Sequence, residues 1–296
     1  MSDVLAEKAE YLDSLLRRVL EQSSTALKME RNAALARSLP GLGARRKRNH
    51  LGDDLDAGEL QEIENVLAGR REGIDAYREA QLRELAFWRW VAFEGYAGMD
   101  PRLFPASQER LMVGTFYRTG WTLAEFATAG VFELGCGPLG MIEYIPAARR
   151  VAFDPLNPFY ARLFARHRSP TVTYIAARPE LESLPGDFDL AICHNVIDHT
   201  DDPAYWFDGL FARLPMGGRF IFQVNLSRSG VAQPEEHRRM HPAPFDRAQM
   251  LRWLEAKSDD FRFDEGETAT ADGEFPFLAF GRKTRDGRVS YVRPLI

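Results

Sequence analysis

At 296 residues, with 45% hydrophobic and 27% charged side chains, the chain can bury a sizeable core and has none of the bias of a disordered or fibrous protein. Its formal charge of −5 lacks the basic excess of a general nucleic-acid binder and favours small-molecule or protein partners. Two cysteines cannot build a disulfide framework, and no stretch approaches the ~20 apolar residues that would span a bilayer.

The N-terminus carries acids where a signal peptide would carry a basic segment, so a cytoplasmic, reducing setting is expected. Residues 1–125 read as a helical extension and residues 126–296 as the main domain. In the extension, Leu5, Ala9, Leu12, Leu16, Val19 and Ala26 recur at helical spacing. A polar connector with Arg45–Arg48 follows. A second helical stretch over 56–93 carries Leu60, Ile63, Leu67, Ile74, Tyr77 and Leu85 on one side, with Gly69 and Gly73 as candidate breaks. It ends in Phe87-Trp88-Arg89-Trp90, whose aromatics call for burial against the following domain or a second subunit. The helical region has little core of its own, so it is expected to dock, to cap an acceptor pocket, or to mediate a homodimer.

From Val131 the texture alternates. Strands are expected at 131–135, 150–154, 171–176, 188–193 and 219–225, with helices starting near Pro138, Asn157, Pro203 and Phe245. Such alternation gives right-handed βαβ units and a doubly wound, mainly parallel sheet. Two last strands, over 261–268 and 275–282, are joined by a short Asp-Gly link that suits an antiparallel hairpin.

The most informative segment is Glu133-Leu134-Gly135-Cys136-Gly137-Pro138. Gly135 and Gly137 let the backbone bend and approach a ligand at the carboxyl end of the first strand, where open α/β sheets bind ligands. Nineteen residues after Gly135, Asp154-Pro155 ends the second strand, and a carboxylate there can accept both hydroxyls of a ribose. The pattern indicates an adenosine-containing cofactor and does not by itself separate NAD from S-adenosylmethionine.

These residues resemble the class I S-adenosylmethionine-dependent methyltransferases. Glu133 stands as the acid of that family's E-x-G-x-G motif, and Asp154 as its ribose-binding acid. Pro179-Glu180-Leu181-Glu182-Ser183-Leu184-Pro185 resembles its G-D-A-E-x-L-P segment, with Pro179 in place of the usual glycine. The segment 188–203 and the turn Leu214-Pro215-Met216-Gly217-Gly218 match further motifs in order. The resemblance covers about 131–225. It implies a seven-stranded Rossmann-like fold, S-adenosylmethionine as cofactor and methyl transfer to a small-molecule acceptor, with oxygen the favoured atom. It also implies cofactor contacts from Glu133, Gly135, Cys136, Gly137, Asp154, Pro155, Glu180, Leu181 and His194, and from Tyr117 in the segment before the first strand.

A hydroxyl acceptor benefits from a base or an orienting group, which histidine supplies. His194, His199 and His241 are the catalytic candidates; His237 lies beside the last of these in an insertion after the fifth strand. Asn195-Val196-Ile197-Asp198-His199 also resembles the E-x-x-E-H of ubiquinone-pathway O-methyltransferases, which is understood to hold a divalent metal. One carboxylate and one imidazole make a poor hard-cation site, so no metal is expected. Two rival readings are a non-catalytic methyltransferase-fold subunit and an NAD-dependent oxidoreductase. The latter would want a second nucleotide-binding half, which the sequence after Asn225 does not supply.

Overall fold

A computed structural model describes residues 52–294, apart from 71, 96–99, 229, 232, 268–269 and 271–272. The expected first helix and the Arg45–Arg48 connector lie outside the described residues. The described chain opens with α1 (Ala57–Leu67), α2 (Ala76–Glu94) and α3 (Phe104–Thr119). Asp56 and Asp75 cap the first two by accepting from the amides of Glu59 and Arg78. The break between them falls where Gly69 and Gly73 adopt positive φ.

Then come β1 (Gly130–Leu134), β2 (Arg149–Phe153), α4 (Asn157–Leu163), β3 (Thr173–Ile175), α5 (Arg178–Ser183), β4 (Leu190–His194), α6 (Pro203–Ala212) and β5 (Arg219–Leu226). The chain ends with α7 (Glu235–Met240), α8 (Arg247–Lys257), β6 (Asp260–Glu265) and β7 (Phe275–Arg282). The sheet order is β3-β2-β1-β4-β5-β7-β6. The first five strands pair in parallel, and β7 runs antiparallel to both β5 and β6. The expected hairpin forms, and its second strand is inserted beside β5.

One expectation fails. No α-helix begins at Pro138; the β1–β2 crossover holds only a 3-10 turn at Met141–Glu143. Pro138 and Pro146 leave seven residues between them, and Gly140 adds a further break. The buried carboxylate of Glu133 then accepts the amides of Met141 and Ile142 (3.1 and 2.9 Å) and fixes the turn. Two short helices, α5 and α7, arise in segments where no helix was expected.

Strand alternation divides the interior in two. Phe132, Phe153, Ala191, Cys193, Phe220 and Phe222 face a core completed by α6 and α8, with Phe207, Phe211 and Trp253. Val131, Ala152, Ile192, Ile221 and Phe280 face the other core, completed by Met112, Val113 and Phe116 of α3. A third cluster joins α1 and α2 to Leu139, Tyr160 and Phe164 of the main domain. Trp88 packs on Phe104 and Phe104 on Phe164, with ring centroids 5.5 and 5.7 Å apart. The described part of the helical extension thus buries its apolar side on its own chain, although Trp90 stays 46% exposed. No helix among the described residues is long and apolar enough to cross a membrane.

Candidate active site

Strand order reverses between β1 and β4, and the turns that leave these strands touch. A β-carbon placed on Gly135 (φ +68°) would lie 2.3 Å from both methyls of Val196. Only glycine gives β1 this close passage. The amides of Gly135 and Cys136 both donate to the carbonyl of Phe153 (2.7 and 3.1 Å), folding the turn over the end of β2. Gly137 (φ +57°) differs: a β-carbon there would meet nothing within 4 Å. Its bare side opens onto free space at the switch point, a cradle that any side chain would fill.

Asp154 is tied to this turn. Its Oδ2 accepts the amide of Gly137 and its Oδ1 that of Leu156, both at 2.9 Å. Burial raises its pKa to about 6, against the opposing pull of these amides. Each oxygen keeps a lone pair, so the carboxylate can still accept a diol. Pro155 follows in the turn, half-buried. Cys136 turns its side chain into the core, where burial pushes the thiol well up. It offers a ligand its backbone and no nucleophile.

Glu133 lies under the turn rather than in the crevice. Burial raises its pKa to about 8 despite the two amides it accepts. Replacing it with Gln keeps an acceptor for one amide but sets an N–H₂ group against the other. We expect Glu133→Gln to lose about 1–3 kcal/mol, read as a lower denaturant midpoint in urea unfolding; an unchanged midpoint would remove its bracing role.

Glu180, expected to face an adenine amine, caps its own helix: its Oε2 accepts the amides of Ala176 and Ala177 (3.0 and 2.8 Å), which hold the exposed carboxylate low. Arg178 opens that short helix with Pro179 second, so Glu180 falls third, at the capping-box position. Leu181 is buried in the same core as Phe153 and Trp206. Tyr117, expected at the cofactor, lies in the last turn of α3 and is 55% exposed. Residues 115–119 are helical, so neighbouring side chains diverge by about 100°. Thr115 and Arg118 border a cavity; Tyr117 does not.

That cavity, of about 910 Å³, lies at the carboxyl ends of β4 and β5 and is lined by Thr115, Arg118, His194, Gln223, Asn225 and Leu278, among others. His194 ends β4, and burial lowers its pKa to about 4, so it is neutral near pH 7. The next residue, Asn195, holds φ +56°, the sole positive value at a non-glycine among the described residues. Its Oδ1 accepts from Asn225 Nδ2 (2.9 Å), and its amide donates to the Gln223 carbonyl (2.9 Å). Strained backbone pinned by two such bonds fixes how His194 enters the cavity.

His199 and His241 belong elsewhere. His241 Nδ1 lies 2.7 Å from Asp198 Oδ2, and its ring centroid is 4.0 Å from those of both His199 and His237. His237 Nε2 is 2.9 Å from Glu274 Oε1, and His199 Nδ1 is 3.4 Å from Glu84 of α2. Burial opposes a charge on His241, but Asp198 outweighs it and lifts its pKa to about 9. The sequence reading joined Asp198 only to His199. It missed Glu84 and Glu274, and also Tyr77 of α2, whose pKa is raised to about 12 by burial and then by the charges of Asp201 and Asp154. The helical period that placed Tyr77 on one side of α2 was the signal available.

No family model matches the sequence, and no curated protein matches it. Solved structures do. Phosphoethanolamine N-methyltransferase 2 of Haemonchus contortus, in complex with phosphomonomethylethanolamine and S-adenosylhomocysteine, gives a TM-score of 0.50 at 12% identity, over 75% of this chain and 60% of that one. The same enzyme with S-adenosyl-L-methionine gives 0.50 and 12% over 72% and 61%. N-methyltransferase NodS of Bradyrhizobium japonicum gives 0.46 and 18%, over 63% of this chain and all of that one. Identities this low speak to architecture. With its seven-stranded order and its glycine turn at the switch point, the chain has the class I S-adenosylmethionine-dependent methyltransferase fold.

Proposed function

We propose that this chain transfers a methyl group from S-adenosylmethionine to a small-molecule acceptor, with oxygen as the accepting atom. The observation that carries this reading is the open side of Gly137, tied through its amide to Asp154 at the β1–β4 switch point. Gly135 and Gly137 would give the cofactor close backbone approach, Asp154 would accept its ribose hydroxyls, and Glu133 holds the turn from below. When bound, the cofactor supplies an activated methyl group for in-line displacement.

The chain's own work is to orient the acceptor and exclude water. His194 enters the 910 Å³ cavity as a neutral imidazole. A free ring nitrogen can accept the proton of an acceptor hydroxyl and aim the oxygen lone pair. Arg118 lines the same cavity and is suited to an anionic part of the acceptor. Because His194 titrates near 4, its protonation removes that lone pair only well below neutrality. At saturating cofactor, kcat should stay flat from about pH 5.5 to 8. His194→Ala should lower kcat by about 100-fold with cofactor affinity unchanged. A kcat at saturating cofactor that falls between pH 7 and 6, or one that does not move in His194→Ala, would remove His194 from the reaction.

Calorimetry with S-adenosylhomocysteine and NAD side by side tests the cofactor, and methyl transfer from isotope-labelled S-adenosylmethionine to candidate acceptors tests the activity. Binding of NAD alone would overturn the reading. Tight S-adenosylhomocysteine binding without turnover on any acceptor would favour a non-catalytic subunit.

A further inference from the structure

We infer that Asp198, His199 and His241 form a binding site for one divalent transition-metal ion of the zinc type, clamped between the β4 turn, the insertion after β5 and helix α2. One ligand atom from each of the three residues lies within 4.8 Å of the others. Zn–N and Zn–O bonds of about 2.0–2.2 Å put tetrahedral ligands roughly 3.4 Å apart, so closing around an ion takes little movement. Asp198 Oδ1 and His199 Nε2 are buried without a hydrogen-bond partner among the described residues. Buried polar atoms ordinarily find partners, and an ion bound to both would supply one.

The surroundings have the form of a metal site's outer shell. Glu84 lies beside Nδ1 of His199, the ring nitrogen opposite the orphaned one. A carboxylate at that place fixes ring orientation and raises ligand basicity. On the far side of His241 the stacked His237 ring and Glu274 close the cluster, with His237, His241 and Glu274 themselves within 4.8 Å. The Ala243 amide donates to the Asp198 carbonyl (3.1 Å), locking the two ligand-bearing segments together. Arg239 reaches Glu79 of α2 at 3.6 Å, a second tie from the insertion to that helix.

Donor chemistry sets the class of ion. Two imidazoles and one carboxylate suit zinc, cobalt or nickel, whereas Mg²⁺ and Ca²⁺ want more oxygen ligands. Three protein ligands leave a fourth position for water or an acceptor atom.

The test uses the untagged full chain, stripped with a chelator and dialysed. Zn²⁺ and Co²⁺ are added in turn, with bound metal counted by mass spectrometry and the Co²⁺ form read by visible absorption. We expect one ion per chain and intense Co²⁺ bands of a four-coordinate site. Affinity should fall at least about tenfold in Glu84→Gln and about a hundredfold in His199→Gln and His241→Gln. Glu84→Gln keeps all three ligands and an acceptor for Trp88 Nε1, so it stays informative should a ligand variant fail to fold. Uptake of less than stoichiometric metal, uptake that none of the three substitutions weakens, or preference for Mg²⁺ over Zn²⁺ would each overturn the site.

Discussion

Gly137→Ala is expected to raise the dissociation constant for S-adenosylmethionine at least about 100-fold while leaving the fold largely intact, and Gly135→Ala to do the reverse. The two glycines look equivalent in sequence and both hold positive φ, at +57° and +68°. Either substitution therefore carries the backbone cost of an L-residue in the left-handed region, about 1–2 kcal/mol. They differ in what the new methyl meets. At 137 it enters open space, which is the volume assigned to the cofactor. A collision there of about 3 kcal/mol corresponds to the hundredfold loss. At 135 it strikes both methyls of Val196 at 2.3 Å, and overpacking adds about 1–3 kcal/mol. Thermal unfolding and calorimetry on the two variants separate these effects. A Gly137→Ala protein that binds cofactor as tightly as the parent would place the cofactor elsewhere.

Asp154→Ala carries the next largest effect. A ribose diol on a carboxylate makes two charge-assisted hydrogen bonds of about 1.5–3 kcal/mol each. Losing both corresponds to at least about 100-fold in affinity, compounded by release of the Gly137 and Leu156 amides. The same residue sets a pH dependence. Its pKa in the folded chain is raised to about 6, and the ionised form is the one that accepts both hydroxyls. Affinity should be constant above about pH 7 and fall towards tenfold per pH unit below 6. That acid limb should vanish in Asp154→Asn. Calorimetry between pH 5 and 8 checks both statements, and an acid limb that persists in the Asn variant would assign it to another group.

The strands were legible for a simple reason. Parallel strands buried on both faces must be short, nearly unbroken apolar runs, and Val131–Leu134, Val151–Phe153 and Leu190–Cys193 are such runs. The glycine turn and Asp154 were legible because each sits at the end of its strand, where local sequence dictates local backbone. The crossover after Pro138 was misread because its shape depends on a buried acid in β1, eight residues before the Met141 amide that it accepts. The capping role of Glu180 was hidden for a nearer cause: a short helix over Arg178–Ser183 takes its carboxylate as a cap.

The amino-acid sequence by itself determined the strand sequence, the adenosine-type turn and the ordinary composition of a globular α/β chain, since all three rest on contacts or dihedrals within a few residues. Only the tertiary structure decided which histidines share a site. Asp198 and His241 are 43 residues apart, and Glu84 and Glu274 come from the two ends of the described chain. Parallel pairing of β4 with β5 and docking of α2 bring them together. No periodicity in the chain encodes that meeting, because long-range juxtaposition is fixed by how whole elements pack rather than by the residues that meet.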